Sequence, residues 1–137
     1  MNFESIGVVK SEFEEPVSPE EMKEYESTLV IDKAYERGLA GLKAGATLQI
    51  IFYLHLNDDY ELFGPKRVGE ARGVFASRSP RRPNSIGVTA VKLLARDGNK
   101  LKVAGLDAVD GTPILDIKPY AKLMDQIDND HHTQQEE

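Results

Sequence analysis

The turn Asp97-Gly98-Asn99 is the feature that most constrains the fold of this chain. It separates two runs rich in β-branched and other apolar residues, Ile86 to Ala95 and Leu101 to Gly105. A tight hairpin turn needs residues that tolerate a positive φ, and glycine beside Asp or Asn supplies this freedom. The segment therefore predicts an antiparallel β-hairpin.

Most of the remaining chain also predicts short strands, with little helix between them. Ser18-Pro19-Glu20-Glu21 predicts a helix start with an N-cap serine, and Lys33 to Leu42 predicts a second short helix. This pattern favours a mainly β fold, a small single-domain β-barrel. No strand is followed by a G-x-G-x-x-G turn, which argues against a Rossmann nucleotide-binding fold. The other predicted strands are Glu4 to Lys10, Thr28 to Ile31, Thr47 to Leu56, Gly73 to Ala76 and Ile114 to Ile117.

Chain length and composition fit one domain. The 137 residues support a single core, which we assign to residues 1–124, while the polar, acidic residues 125–137 predict a disordered tail. The lack of cysteine excludes disulfides and thiolate zinc sites, and it fits a cytoplasmic location. No apolar run approaches the roughly 20 residues of a membrane span, and the start lacks the pattern of a secretory signal. His131 and His132 lie in the predicted tail, where no metal site is expected.

Positive charge is concentrated in one part of an acidic chain. The net charge is −6, yet residues 64–102 hold ten Lys and Arg against two Asp and Glu. A basic block of this kind either binds phosphate locally or forms a solvated face with neutralising neighbours. Composition leaves both interpretations open.

The first polar loop runs from Ala76 to Gly87 and carries Arg78, Arg81 and Arg82. Its two prolines restrict the backbone, so the arginines lose less entropy when they bind a ligand. Arginine presents a planar, permanently charged fork that suits carboxylate or phosphate. Asn84 suits either a base edge or the loop's own backbone. A rigid turn with surface arginines is the competing interpretation.

The second polar loop runs from Gly105 to Pro113 and carries Asp107 and Asp110. Carboxylates at these positions suit hydrogen-bond acceptors, proton acceptors or cation partners. The same loop is also a good turn sequence in which aspartate caps the backbone. His55 ends an apolar strand, and we interpret it as structural.

Two long motifs give these loops a family resemblance. Gly73 to Pro80, followed by Arg82 to Val88, forms the first motif, and Gly105 to Tyr120 forms the second. Both match the signature segments, in the same order, of the TrmO (TsaA-like, formerly YaeB) family of S-adenosylmethionine-dependent tRNA methyltransferases. Ile6-Gly7 fits the opening strand of that family. The sequence thus resembles this family over most of its length.

The resemblance implies a small β-barrel methyltransferase of non-Rossmann type that acts as a homodimer. Its substrate would be tRNA, methylated on the exocyclic N6 of threonylcarbamoyladenosine next to the anticodon. S-adenosylmethionine contacts are then expected at the matching positions, which are Pro16, Val17, Ser18, Thr47, Leu48, Arg78, Val88, Asp107, Ala108, Val109 and Asp110.

A mechanism fits these residues as a hypothesis. Arg78 would clamp the carboxylate of S-adenosylmethionine, while Asp107 or Asp110 would meet its amino group or ribose hydroxyls. Asp110 and Tyr120 are the candidate proton acceptors. Phosphates of the tRNA are expected to meet the basic block, with contacts from Lys66, Arg67, Arg81, Arg82 and Asn84.

Two departures from the family pattern leave other functions open. The family's Pro-Arg-Gln is replaced by Pro16-Val17-Ser18, and its Phe-Ser-His is replaced by Gly45-Ala46-Thr47. One alternative is a barrel that binds S-adenosylmethionine or RNA without catalysis. Another is methyl transfer to a different, small acceptor.

Overall fold

A computed structural model describes residues 1–121, so the predicted tail at 125–137 and the domain end at residue 124 lie outside the described residues. One short α-helix, α1 Pro19–Met22, and two 3₁₀ helices, Lys33–Leu39 and Val74–Ala76, accompany the strands. No helix within residues 1–121 is long and apolar enough to cross a membrane. The strands are β1 Gly7–Lys10, β2 Glu26–Ile31, β3 Thr47–Tyr53, β4 Phe63–Gly64, β5 Arg72–Gly73, β6 Ile86–Asp97, β7 Lys100–Ala104 and β8 Pro113–Pro119.

Six strands close into an antiparallel barrel in the order β1-β2-β7-β6-β3-β8, and β8 pairs back onto β1. Strands β4 and β5 form a separate two-stranded sheet. The barrel closes around an apolar interior because buried and exposed residues alternate along β2, β3 and β6. The prediction of a mainly β barrel with short helices is therefore confirmed. Its largest fully buried side chains include Leu29, Ile31, Leu48, Ile50, Leu93, Leu101 and Ile114.

The predicted hairpin is confirmed as β6 and β7. Asp97 pairs with Lys100 across the turn, and Gly98 adopts a φ of +62°, the left-handed conformation that the turn sequence indicated. The register shifts between Leu93 and Ala95, which leaves the intervening residue outside the regular pairing. Strand β6 ends at Asp97, two residues closer to the turn than the end at Ala95 that the apolar pattern predicted.

Several predicted boundaries change in the structure. The opening strand begins at Gly7 rather than Glu4, and the long apolar strand ends at Tyr53 rather than Leu56. The helix predicted from Lys33 is a 3₁₀ helix that ends at Leu39, shortly before Gly41 adopts a φ of +96°. Ser18 caps α1 as expected, since its hydroxyl accepts a hydrogen bond from the N–H of Glu21 at 3.2 Å.

The predicted strand Gly73 to Ala76 is wrong beyond its first residue. Only Arg72–Gly73 is extended, and Val74–Ala76 forms a 3₁₀ turn. The guanidinium of Arg72 donates to the carbonyls of Val68 and Ala76, both at 2.8 Å, and to that of Glu70 at 3.0 Å. These bonds fold the chain back on itself around one side chain, which the local strand propensity does not reveal.

Antiparallel order sorts the connections between two ends of the barrel. The connections after β1, β3 and β7, which are residues 11–25, 54–85 and 105–112, emerge at one end, here called the loop rim. The connections 32–46 and 98–99 emerge at the other end, here called the far rim, together with the end of β8. Both motif loops therefore lie at the loop rim.

Candidate functional site

The two motif loops are joined through consecutive residues of β6. The guanidinium of Arg78 donates a hydrogen bond to the carbonyl of Val88. The hydroxyl of Thr89 donates to Oδ1 of Asp107 at 2.6 Å. Residues 88 and 89 are neighbours on one barrel strand, so consecutive residues of β6 hold the cation of the first loop and a carboxylate of the second loop.

The second loop is fixed by glycines and by buried apolar side chains. Gly105 and Gly111 have φ values of +97° and +84°, so both positions favour glycine. Ala108 and Val109 are buried, and the hydroxyl of Thr112 donates to the carbonyl of Val109 at 2.7 Å. A ligand at the loop rim would therefore meet the backbone of residues 108–109 rather than their side chains.

Asp110 holds the segment that follows β1. Its N–H donates to the carbonyl of Phe13 at 2.6 Å, and its Oδ1 accepts from the N–H of Ser11 at 3.0 Å. The Phe13 ring then packs edge-on against Tyr25, with 5.1 Å between the ring centroids. This segment continues into residues 16–18, so these predicted contact positions are also at the loop rim, although the Ser18 hydroxyl already caps α1.

A shallow cavity of about 560 Å³ opens beside this anchored segment. It lies on the outer face of β1, β2 and β7, and Lys10, Ser11 and Tyr25 are among its walls. The cavity does not contain Arg78 or Asp107, so it adjoins the cluster of the two loops rather than coinciding with it. We take the hydrogen-bonded cluster as the site, because its polar groups are held by partners at short distance.

His55 is a loop-rim residue that the sequence interpretation set aside as structural. It follows the end of β3 by two positions, and a Cβ built on Gly111 would lie 4.0 Å from its Nε2. The imidazole thus borders the second loop. The antiparallel pairing of β3 with β8 is the signal that places it there, and this pairing cannot be read from the local sequence.

The structure does not bring Thr47, Leu48 and Tyr120 to this cluster. Leu48 is 0% exposed, and the N–H of Tyr120 donates to the carbonyl of Thr47 at 2.9 Å on the far rim. The seven residues of β3 put about 20 Å between the two rims. Asp110 and Tyr120, the two candidate proton acceptors, are therefore at opposite ends of one protomer.

The basic side chains of the block are largely engaged within the protein. Arg81 lies 3.4 Å from Asp59 and 3.5 Å from Glu61, whereas Arg82 donates to the carbonyls of Ser77 at 2.9 Å and Ser79 at 3.2 Å. The Arg82 guanidinium also lies over the ring of Phe75, with 5.9 Å between its Cζ and the ring centroid. Exposed ion pairs are weak, so the carboxylates beside Arg81 compete with a phosphate without excluding it.

Three further positions of the block differ in whether other residues of the protein already contact them. Arg67 lies 3.1 Å from Glu20, and Lys66 makes no ion pair within residues 1–121. The Glu20 backbone N–H and then the Arg67 side chain hold the pKa of that carboxyl below its usual range. The carbonyl of Asn84 accepts from the N–H of Ile86 at 2.7 Å, which makes its backbone part of the loop's exit turn. In the described part of the chain, no three His, Asp or Glu side chains converge as metal ligands.

An exposed apolar surface covers the outer face of β3 and β6 beside the first loop. Tyr53 pairs with Ile86 and Ile51 pairs with Val88 across these strands, and three of these four side chains are exposed. Phe75, which is 78% exposed, adds to the apolar area on the loop that precedes β6. Paired apolar residues on an outer sheet face are typical of an interaction surface.

The fold and the loop rim together define a class: a closed antiparallel barrel that presents two motif loops at one end, distinct from the parallel Rossmann sheet. The family model described as the tRNA-methyltransferase O N-terminal domain matches residues 7–126. The chain belongs to this family, and the resemblance drawn from the two motifs is confirmed.

Individual relatives agree with this assignment. The crystal structure of TrmO from Pseudomonas aeruginosa is 30% identical, with a TM-score of 0.74 over 94% of this chain and 60% of that chain. A "probable S-adenosyl-L-methionine-binding protein" of Archaeoglobus fulgidus is 40% identical over 128 residues, which are 90% of this chain and 35% of the relative. A mouse tRNA (adenine(37)-N6)-methyltransferase is 41% identical over 106 residues, 71% of this chain and 25% of the relative. The chain thus spans about a third and a quarter of the length of these two relatives.

Proposed function

We propose that the chain binds S-adenosylmethionine at the loop rim and methylates tRNA on the exocyclic N6 of threonylcarbamoyladenosine next to the anticodon. The observation that carries the proposal is that two consecutive residues of β6, Val88 and Thr89, form hydrogen bonds to Arg78 and Asp107. Relatives named as S-adenosyl-L-methionine-binding proteins and as tRNA (adenine(37)-N6)-methyltransferases support it. A tRNA substrate in turn supports a cytoplasmic location.

The groups at the loop rim fit the cofactor chemically. When bound, S-adenosylmethionine supplies a methyl group made electrophilic by its sulfonium, together with an ammonium, a carboxylate and ribose hydroxyls. Arg78 is exposed, and its guanidinium has five N–H donors, so its bond to Val88 leaves donors for a carboxylate. Asp107 offers an acceptor for a hydroxyl or ammonium. One cation and one carboxylate, held by adjacent residues of β6, thus suit the carboxylate of the ligand and one of its hydrogen-bond donors.

The chain's own residues then act mainly by positioning. A rigid strand that holds both binding groups fixes the reacting partners in one orientation, which supplies much of the acceleration in methyl transfer. Asp110 is the proton acceptor we propose for the nucleophilic nitrogen, because it is the candidate on the loop rim. Its Oδ1 is held by the Ser11 N–H, so its Oδ2 would take the proton.

Calorimetric titration of S-adenosylmethionine into wild type and Arg78→Ala tests the binding assignment. We expect Arg78→Ala to weaken binding by at least about tenfold, since a charge-assisted contact to a carboxylate is lost. Arg96→Ala is the matched control. Arg96 also donates to backbone carbonyls, those of Gly98 at 3.0 Å and Leu39 at 3.3 Å, but at the far rim. Equal affinity in wild type and Arg78→Ala would remove the central assignment.

We propose that tRNA phosphates lie along the basic block, with contacts from Lys66, Arg67, Arg81, Arg82 and Asn84. Affinity for tRNA measured against salt concentration tests this. Arg81→Ala should make the dependence of log K on log salt shallower by about 1, because one phosphate contact is lost. Lys43→Ala, an exposed cation at the far rim, is the control and should leave the slope unchanged. An identical slope in both variants would show that Arg81 faces away from the RNA.

We further propose that two copies of the chain pair through the outer face of β3 and β6. The exposed residues Tyr53, Ile86 and Val88 support this, because monomers seldom leave a continuous apolar patch uncovered. Light scattering after size exclusion should show a dimer for wild type and a monomer for Ile86→Glu. Leu94→Glu, on the same strand but nearer the far rim, should remain dimeric. A monomeric wild type at tens of micromolar would contradict the proposal.

A second candidate function is binding of S-adenosylmethionine and RNA without catalysis. The separation of Tyr120 from the cluster favours it, because it leaves Asp110 as the one remaining candidate among the two proton acceptors. A methyl-transfer assay on modified and unmodified tRNA separates the two functions. Binding with no transfer to either tRNA would favour the non-catalytic barrel.

A further inference from the structure

One polar side chain faces inward from β6 at a position where the barrel interior is apolar. Thr89 is 5% exposed, and the next inward residues of the strand, Val91 and Leu93, are fully apolar and buried. A buried hydroxyl destabilises the fold unless it forms a hydrogen bond, whereas valine has nearly the same shape and no such requirement. The threonine therefore points to a need for its hydroxyl.

The hydroxyl meets that requirement with the carboxylate of Asp107. Thr89 Oγ1 lies 2.6 Å from Asp107 Oδ1, and since an ionised carboxylate only accepts, the hydroxyl is the donor. A distance this short is typical of a charge-assisted hydrogen bond. Leu106 and Ala108 on either side of Asp107 are buried. The backbone is thus fixed by packing and the carboxylate by Thr89, so its rotation is restricted.

The other carboxylate oxygen of Asp107 accepts no hydrogen bond from any residue between 1 and 121. The preceding residue on β6, Val88, holds the Arg78 guanidinium through its carbonyl. Neighbouring residues of a strand are about 3.3 Å apart along its axis, so β6 contacts the arginine and the aspartate through adjacent residues. The Thr89 hydroxyl determines which oxygen of Asp107 is left for a ligand.

We propose that Thr89 is a positioning residue for cofactor recognition. It orients Asp107 so that Oδ2 accepts a hydrogen bond from one donor of S-adenosylmethionine, either a ribose hydroxyl or the ammonium. The inference rests on the proposed function, because it takes Asp107 as a cofactor contact. It adds a residue outside both polar loops to the determinants of cofactor affinity, and it assigns that residue to selection among donor groups rather than to chemistry.

The test uses Thr89→Val, which removes the donor at nearly constant shape, and Thr89→Ser, which retains it. The ligand is S-adenosylhomocysteine, the stable demethylated form, with three analogues that lack the 2′-hydroxyl, the 3′-hydroxyl or the α-amino group. We expect Thr89→Val to bind the parent ligand about 5–10-fold more weakly, and Thr89→Ser to bind within about twofold of wild type. One analogue, the one that lacks the donor bound by Oδ2, should bind wild type more weakly than the parent ligand does. Thr89→Val should bind this analogue no more weakly than wild type binds it.

A purely structural role would change these results in a recognisable way. If Thr89 only stabilises the barrel, Thr89→Val lowers the melting temperature and weakens all four ligands by the same factor, which would overturn the inference. Parent-ligand affinity equal to that of wild type would overturn it as well. Asp107→Asn supplies the second arm, since adding Thr89→Val to it should cost no further affinity. Wild type that binds none of the ligands would instead refute the proposed function, and this inference with it.

Discussion

Replacement of Gly87 by alanine places a methyl group against the ring of Phe52, because the two residues face each other across β6 and β3. A Cβ at position 87 would lie 2.6 Å from both Cε2 and Cζ of that ring and 3.2 Å from Cδ2. Carbon atoms pack best at about 3.5–4.0 Å, so two contacts overlap by about 1 Å. The requirement for glycine at position 87 therefore comes from its neighbour across the sheet rather than from the loop that precedes it.

The cost follows from how little the ring is able to move. Phe52 is 3% exposed and belongs to the barrel core, so relief requires a shifted ring or a wider spacing between β3 and β6. Overpacking of this kind costs about 1–3 kcal/mol. Alanine also lowers the conformational entropy of the unfolded chain, which stabilises the folded state by about 0.4–1 kcal/mol. We expect a net loss of about 1–2 kcal/mol, a fall of about 3–10 °C in melting temperature for a chain of this size.

Urea unfolding followed by circular dichroism measures this, since the chain has no tryptophan to report by fluorescence. Gly38→Ala is the matched control, because a Cβ there meets nothing within 4 Å and its φ is not positive. It should leave the free energy of unfolding unchanged or raise it by up to about 1 kcal/mol. Phe52→Leu should cost less in the Gly87→Ala background than in wild type. Equal stability of Gly87→Ala and Gly38→Ala would refute the packing argument.

Three further results are expected from single substitutions. Asp110→Ala removes the acceptor of the Ser11 N–H, so it should lower the free energy of unfolding by about 1 kcal/mol. Calorimetry should also show severalfold weaker binding of S-adenosylmethionine, and unchanged affinity would show that the anchored segment lies off the site. Tyr120→Phe should retain methyl transfer within about twofold, because Tyr120 is at the far rim; a loss of a hundredfold would contradict that placement. Arg67→Ala should raise the pKa of Glu20 in an NMR titration, yet leave it below the usual range because the backbone N–H remains. As this pKa is depressed by folding, its stabilising effect is present above the unfolded pKa and is lost as pH falls through the folded value.

Local sequence was enough to predict the hairpin and the α1 cap. An Asp-Gly turn between apolar runs and a serine before Pro-Glu-Glu act over a few residues, so the structure reproduces them. The 3₁₀ turn at Val74–Ala76 was not predictable in this way. It depends on the Arg72 side chain reaching three carbonyls, a contact that strand propensity does not include.

Which residues belong to the site depends on the direction in which each strand runs, and sequence patterns do not give this direction. Thr47 and Leu48 start a strand and His55 follows its end, so only the antiparallel order places His55 at the loop rim and the other two at the far rim. Thr89 and Asp107 are separated by 18 positions, and nothing local marks them as partners. The assigned cofactor contacts stay predictions, and those at Thr47 and Leu48 are the ones that the geometry separates from the rest.

Each strand of the barrel is hydrogen-bonded on both sides, because β8 pairs with β1 and closes the ring. No barrel strand is able to detach without breaking two ladders, so barrel amides should exchange their hydrogens with solvent only when the whole ring opens. The sheet β4-β5 has a single ladder of two residue pairs, and it is able to open by itself. We expect slow, uniform hydrogen exchange in the six barrel strands and fast exchange near Phe63 and Gly73. That result would show that the β4-β5 sheet at the loop rim unfolds as a separate cooperative unit while the barrel stays closed.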